Sequence, residues 1–268
     1  MTEEIQHLSA WENVMLARNS SRTKAQSYIN ALFTDFMELH GDRCFGDDQA
    51  LLGGVALFHG KPVTVLAQSK GSNLDENLTR NFGMMNPEGY RKALRLAEQA
   101  EKFGRPVITF VDTSGAYPGR GAEERGQASA IAKCLMTFSD LKVPVICIII
   151  GEGGSGGALA LSVADRLYML EHAIYSVLSP EGFASILWKD DSRVQEAAEV
   201  MGLTAKNLYD KGIIDEIIQE PIGGIEICEE YVMSQLDRLI EKDLLELGRK
   251  KEIERTAERY KKFRQIGV

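Results

Sequence analysis

The run Gly151-Glu152-Gly153-Gly154-Ser155-Gly156-Gly157-Ala158 is where this chain can do chemistry, and several chemistries can be written on it. Gly151-x-Gly153-x-x-Gly156 matches a dinucleotide fingerprint, and Glu171 stands 20 residues after Gly151, where an acid for a ribose hydroxyl belongs. Against it, Glu152 would put a carboxylate beside the pyrophosphate, and the motif comes late in the chain before a short helix. Gly153-Gly154-Ser155-Gly156-Gly157 also spells the G-x-S-x-G elbow of a nucleophilic serine. That chemistry needs a histidine. Of His7, His40, His59 and His172 only His172 follows Ser155, and it is crowded with Asp165 into one short β segment. Ser155 reads more simply as a helix N-cap. A P-loop is excluded, because Ala158 stands where lysine is required.

A fourth chemistry needs no side chain. Glycines at a helix N-terminus offer unhindered N–H groups at the positive end of the helix dipole. Two such amides about 3 Å from a developing oxyanion lower a barrier by roughly 3–4 kcal/mol each. The bland alternative is a tight turn whose glycines only let backbones approach. A second loop, Asp112-Thr113-Ser114-Gly115-Ala116-Tyr117-Pro118-Gly119-Arg120-Gly121, leaves the preceding buried segment in the same way.

The elements that must position these loops are legible from hydrophobic pattern. Val143–Ile150 is continuously apolar, as is most of Pro106–Val111, and each runs through a glycine loop into a helix, the first of these helices spanning about Glu123–Phe138. Two successive strand, loop and helix units predict an α/β fold with parallel strands and function at the loop ends. Ahead of them, Gly54–Phe58 and Pro62–Ala67 read as a hairpin through His59-Gly60-Lys61, and Glu88–Phe103 as a helix ending at Gly104. Residues 1–40 read as helix. Thr23-x-x-Gln26 is a capping-box pattern there, Tyr28, Ile29, Leu32, Phe33, Phe36 and Leu39 fall at helical spacing, and Gly41 is the stop. After the glycine run, Arg166–Leu170, Ala173–Leu178 and Ile213–Ile218 read as strands, with the loop Ser179–Gly182 and helices to about Tyr209 between them. Residues 229–268 carry ten basic and nine acidic residues and an apolar stripe of Leu236, Leu239, Ile240, Leu244 and Leu247, which predicts one long amphipathic helix with solvated charges.

Composition narrows the function classes. With 31 basic and 39 acidic residues the net charge is −8, which gathers neither nucleic acid nor anionic lipid. The longest apolar run falls far short of a membrane span, and the acidic start Met1–Gln6 is unlike a secretory signal, so a cytoplasmic protein is expected. Cys44, Cys134, Cys147 and Cys228 lie far apart with no zinc-ligand spacing, so no metal is expected in this chain.

Several motifs carry a family resemblance. Asn81-Phe82-Gly83-Met84, Pro87–Ala93, Gly115–Gly119, Gly121–Gln127, Gly151–Ala160, Ser179–Gly182 and Ala184–Lys189 strongly resemble the α subunit of bacterial acetyl-coenzyme A carboxylase carboxyltransferase, from about Trp11 to Gly224. The resemblance implies a crotonase (ClpP/crotonase-like) spiral of ββα units with flanking N- and C-terminal helices. It implies a single carboxyltransferase domain over 1–268, with a helical extension over 1–40, a core over 41–224 and a C-terminal helix over 225–268. The implied reaction moves a carboxyl group from N1 of carboxybiotin, held on a separate biotin carboxyl carrier protein, to the methyl carbon of acetyl-CoA. The product is malonyl-CoA, the first committed intermediate of fatty-acid synthesis.

The implied catalytic groups are the amides of Gly156 and Gly157, polarising the ureido oxygen of biotin. Gly115, Ala116, Tyr117, Gly153, Gly154 and Ala158 are the implied cavity wall, and decarboxylated biotin is the implied base for the acetyl proton. The implied partner is a β subunit that bears a zinc ribbon and binds the acyl thioester, in an α₂β₂ complex. Three departures touch loop rigidity and substrate contact: Ser114 where proline is usual, Lys70-Gly71-Ser72 without arginine after the glycine, and a short N-terminus. Glu123 and Glu124 suit a helix start, while Arg125 can hold its loop or reach a ligand. Two other classes stay open at this stage. One is a stand-alone hydratase or isomerase on an acyl-CoA, which needs a glutamate acid/base in the same cavity. The other is a non-catalytic scaffold for the β subunit.

Overall fold

A computed structural model describes residues 8–267, so His7 and the acidic start lie outside the described residues. Helix α1 (Ala10–Ala17) opens on a complete capping box, in which Ser9 Oγ accepts from the Glu12 N–H and the Glu12 carboxylate accepts from the Ser9 N–H. Helix α2 (Ala25–Leu32) is shorter than its periodicity predicts. The chain turns extended at Phe33 and forms strand β1 (Thr34–Glu38), antiparallel to β2 (Leu51–Phe58). Phe36 and Leu39 therefore belong to an edge strand and its exit. Their helical spacing is overridden by packing: Phe33 is drawn inward onto Phe58 and Phe110, at ring separations of 5.8 and 6.2 Å. Nor does Thr23 cap α2. The N-cap is Lys24, without a side-chain bond, and the Thr23 hydroxyl donates to Glu229 Oε1 at 2.7 Å.

Strands β2 and β3 (Lys61–Gln68) form the expected hairpin, closed by His59 and Gly60 at φ 47° and 74°. Positive φ at both turn residues matches the strands' right-handed twist. Helices α3 (Leu74–Thr79) and α4 (Pro87–Lys102) lead to the fully buried β4 (Val107–Thr113). The expected single helix after the second loop is two, α5 (Arg120–Glu124) and α6 (Gln127–Asp140), separated by left-handed Gly126. Then come β5 (Val145–Gly154), α7 (Ser155–Ser162), β6 (Arg166–Leu170) and β7 (Ile174–Ser176). Helices α8 (Pro180–Phe183), α9 (Val194–Met201) and α10 (Ala205–Asp210) follow, before the last strand β8 (Glu216–Ile218). Among the described residues the sheet has eight strands in the order β1-β2-β3-β4-β5-β6-β8, with β7 also on β5; it is antiparallel through β3 and parallel from there on.

The C-terminal segment is not one helix. It breaks at Lys250 and Lys251 into α11 (Glu229–Arg249) and α12 (Glu252–Arg264). Leu236, Ile240 and Leu247 of α11 join the core as the stripe predicts. The charges of α12 are not all solvated: Arg255 and Arg259 are buried. Arg259 forms a two-point ion pair with Asp165, at 2.9 and 2.7 Å, and its remaining donors meet the carbonyls of Phe138, Leu141 and Val143. Asp165 Oδ2 also accepts from the Val145 N–H at 2.8 Å, so α12 grips the first residue of β5. No helix among the described residues is long and apolar enough to cross a membrane.

Candidate active site

The glycine run is not a loop. β5 continues through Gly154, pairing with β6 up to Ile149 and then with β7 from Glu152, so the glycines ride on a strand that changes partners. At Gly151 a side chain has no room: a Cβ would lie 2.5 Å from Asp112 Oδ1, the same oxygen that accepts the Glu152 N–H at 3.0 Å. Helix α7 begins directly at Ser155, whose φ of 53° makes a tight strand-to-helix corner. Its N-cap is Gly154, so Ser155 is not the cap expected of it, and no side chain caps this end.

First-turn amides have no intrahelical acceptor. The N–H groups of Gly156 and Gly157 thus have no acceptor within α7 and stand at its positive end. The two glycines differ. A Cβ on Gly157 would lie 2.5 Å from Gly115 C and 2.7 Å from Ala116 N, so the first turn of α7 and the Gly115–Ala116 loop meet backbone on backbone. A Cβ on Gly156 would meet nothing nearer than Ile131 Cγ2 at 3.7 Å, an ordinary contact. The Gly157 carbonyl accepts from Gln68 Nε2 at 2.8 Å, which fixes the turn from β3.

A cleft of about 230 Å³ opens on this corner, lined by Ser114, Gly153, Gly154 and Ser155 and closed by Arg18 and the segment Ser176–Pro180. Arg18, just past α1, reaches Glu152 Oε1 at 2.7 Å and Glu181 Oε1 at 2.6 Å. Lys70 sits between Glu152 Oε2 at 2.7 Å and Asp112 Oδ1 at 2.8 Å. Burial alone would push the Lys70 ammonium down, but the Asp112 and Glu152 carboxylates outweigh it and hold it above the usual lysine value. Burial likewise opposes the Glu152 charge, and Lys70 and Arg18 outweigh that, holding it below the usual glutamate value. Both stay charged at neutral pH. Glu152, the glutamate that lines the cleft, is thus held as a carboxylate by two cations.

Arg22 anchors the same strand just ahead of the glycines, donating to the Ile150 carbonyl at 2.7 Å while paired with buried Glu220. On the other face of α7, Ser155, Gly156, Leu159, Tyr175, Val177 and Phe263 border an apolar groove of about 300 Å³.

Of the residues singled out from sequence, Gly153 and Gly154 line the cleft and Gly156 the apolar groove. Gly115, Ala116 and Gly157 form the packed contact beneath. Tyr117 is held outside that contact, its N–H donating to the Met85 carbonyl at 3.2 Å and its carbonyl accepting from Gln127. Ala158 is fully buried and borders neither space. The partners the sequence offers a serine elbow lie elsewhere: Asp165 is at the opposite end of β5, bound to Arg259, and His172 meets Asn13 Oδ1 at 3.0 Å. Arg125 holds its loop, donating to Glu88 at 2.7 Å and lying 4.6 Å above the Phe45 ring. Arg18 escapes a reading of the sequence because its partner Glu152 is 134 positions away. Among the described residues no group of three or more His, Cys, Asp or Glu side chains is placed to hold a metal.

The family model described as "Acetyl co-enzyme A carboxylase carboxyltransferase-like" matches residues 1–267. The acetyl-coenzyme A carboxylase carboxyl transferase subunit alpha of Clostridium acetobutylicum is 57% identical over 99% of this chain and 97% of its own length. The protein of the same name from Shouchella clausii is 55% identical over 97% of this chain and 81% of its own. Among solved structures, transcarboxylase 12S with methylmalonyl-coenzyme A superposes at a TM-score of 0.72 and 20% identity. It covers 87% of this chain, which spans only 43% of that one. A Pseudomonas malonate decarboxylase hetero-tetramer with coenzyme A gives a TM-score of 0.65 at 19% identity, covering 80% of this chain and 86% of that one. These superpositions show the fold, a crotonase-like α/β fold. The chain belongs to the acetyl-coenzyme A carboxylase carboxyltransferase α-subunit family.

Proposed function

We propose that residues 1–268 act as a single unit, the biotin-side half of a carboxyltransferase that moves a carboxyl group from carboxybiotin to acetyl-CoA and so forms malonyl-CoA. The reading rests on the first-turn amides of Gly156 and Gly157, which have no acceptor within α7, at a corner where Arg18, Lys70 and Glu152 are already paired with one another or with neighbouring carboxylates. Two fixed N–H donors suit a urea oxygen, which takes on negative charge as the carboxyl group leaves. The apolar groove along Gly156 suits the hydrocarbon arm of the same group. Carboxybiotin, delivered by a biotin carboxyl carrier protein, supplies the activated carboxyl group and afterwards a base for the acetyl proton.

This chain binds, orients and polarises. Gly156 and Gly157 donate, Gln68 and the Gly115–Ala116 backbone fix the donors, and Arg18 with Lys70 keeps Glu152 ionised. The acyl thioester is left to a zinc-ribbon β subunit, in an α₂β₂ assembly working in the cytoplasm. The test replaces residue 156, and separately 157, by glycolic acid, so that an ester oxygen stands where the N–H was. No helix hydrogen bond is lost, because first-turn amides have none. Turnover by the reconstituted complex should fall about 10²–10³-fold for each, with assembly and melting temperature kept. Undiminished turnover refutes the role.

A further inference from the structure

The glycine run owes its place in the sheet to an irregularity just ahead of it. Strands β4 and β5 run in step from Val107 and Val145 to Val111 and Ile149, and pair again only at Thr113 and Gly153. One residue of β4, Asp112, therefore faces three of β5: Ile150, Gly151 and Glu152. On the other flank of β5 the changeover from β6, which pairs up to Ile149, to β7, which pairs from Glu152, falls on the same residues. Such a bulge interrupts the ladder and leaves backbone groups to find other partners. Here buried side chains meet two of them: Arg22 donates to the Ile150 carbonyl at 2.7 Å, and Asp112 Oδ1 accepts from the Glu152 N–H at 3.0 Å. Lys70 closes the arrangement, donating to the same Asp112 oxygen at 2.8 Å and to Glu152 Oε2 at 2.7 Å.

The bulge slides the glycines along β4. Were the earlier register kept, Gly151 and not Gly153 would stand level with Thr113. With the shift, Gly154 comes to rest on Ser114, where an added Cβ would collide with the Ser114 carbonyl, and Gly157 comes to rest on Gly115. Both contacts have room for glycine alone, so the register decides where α7 begins and where its first-turn amides stand. Asp112 is the pivot: buried in β4, its carboxylate stands in for the main-chain acceptor that a regular ladder would offer Glu152.

We propose that Asp112 is a positioning residue for the transfer: by accepting from the Glu152 N–H it holds the bulge in β5, and through it the register that places the Gly156 and Gly157 amides. The part in the transfer rests on the carboxyltransferase reading; control of the register does not. Both donors meet one oxygen of Asp112, so a side-chain amide can stand in for the acid. In the reconstituted complex Asp112→Asn should keep most of kcat, whereas Asp112→Ala should lower kcat about 10²-fold with KM for biocytin little changed. Arg259→Met, which loosens the start of β5 instead, should lower the melting temperature and leave kcat of the folded complex unchanged, so lost stability alone does not imitate the effect. If Asp112→Ala does not fold, α-hydroxyglutaric acid in place of Glu152 turns the one N–H into an ester oxygen with every side chain kept, and kcat should fall likewise. In the full chain by itself, the NMR amide resonances of Gly156 and Gly157 should move in Asp112→Ala, or in the ester, and hold in Asp112→Asn. Undiminished kcat on loss of the hydrogen bond, equal loss in Asp112→Asn and Asp112→Ala, or unmoved glycine resonances overturns the role. A complex without carboxyltransferase activity would fail the functional reading while the resonances still judged the register.

Discussion

Adding one methyl group to Gly156 and to Gly157 separates the part each plays. At Gly157 the new Cβ would stand 2.5–2.7 Å from three main-chain atoms of Gly115 and Ala116, against about 3.5–4.0 Å for carbon at rest. Relief therefore requires α7 and the Gly115–Ala116 loop to part by roughly 1 Å, since neither neighbour is the end of a flexible side chain. Overpacking of this kind costs about 1–3 kcal/mol, which at about 2–4 °C per kcal/mol lowers the melting temperature by roughly 2–12 °C. A misplacement of about 1 Å at a catalytic donor costs about 10²-fold in rate. Gly156→Ala meets only Ile131 Cγ2 at 3.7 Å and sits in the first turn of a helix, so its stability should match or slightly exceed the parent's. Differential scanning calorimetry of the purified chain and malonyl-CoA formation by the reconstituted complex read the two effects. Gly157→Ala should lose both stability and rate, and Gly156→Ala should keep stability and most of the rate. Equal behaviour of the two variants would refute the backbone-on-backbone account of the turn.

Other outcomes follow from features away from the turn. Arg259→Met leaves Asp165 buried without its partner, so stability should fall by about 3–5 kcal/mol, and Asp165→Asn in the same chain should recover part of that; additive losses in denaturant unfolding would contradict the coupling. His59 is held above the usual imidazole value by its hydrogen bond to Asp237 at 2.7 Å, helped by Glu241. Its small contribution is thus present below the unfolded value of about 6.5 and fades as pH rises through the folded one. An NMR titration of His59 with a midpoint at or below the unfolded value, or one unmoved by Asp237→Asn, would contradict it. Burial pushes the Cys134 and Cys147 thiols up to about 12, whereas Cys44 and Cys228 are exposed. A disulfide reagent at pH 8 should titrate two thiols quickly in the folded chain and four after denaturation; rapid modification of a third would show the core to be open.

Much of the parallel core was legible because its information is local: continuous apolar runs mark β4 and the first part of β5, and a two-residue turn marks the β2–β3 hairpin. Where long-range pairing decides, local pattern misleads. Phe36 and Leu39 lie at helical intervals from Phe33, yet β1 forms because β2 offers it an edge. The glycine run reads as a loop because residues without side chains carry no periodicity, and only β7, some 20 positions later, turns it into strand. The break at Lys250 and Lys251 has no proline to announce it, and Arg259, a surface residue by type, goes inside because Asp165 and three carbonyls await it. At the site, the main-chain donors were legible because glycine clusters report on the backbone itself. Arg18 was not, because nothing near it in the chain reveals the cavity it faces.

β5 is gripped near its middle by Arg22, through the Ile150 carbonyl, and at its start by Asp165 under Arg259. Those grips span 128 and 94 positions of sequence and come from opposite termini. During synthesis, then, the strand can pair with its neighbours before α12 leaves the ribosome, but a nascent chain stalled short of residue 259 lacks the grip of Arg259 on Asp165.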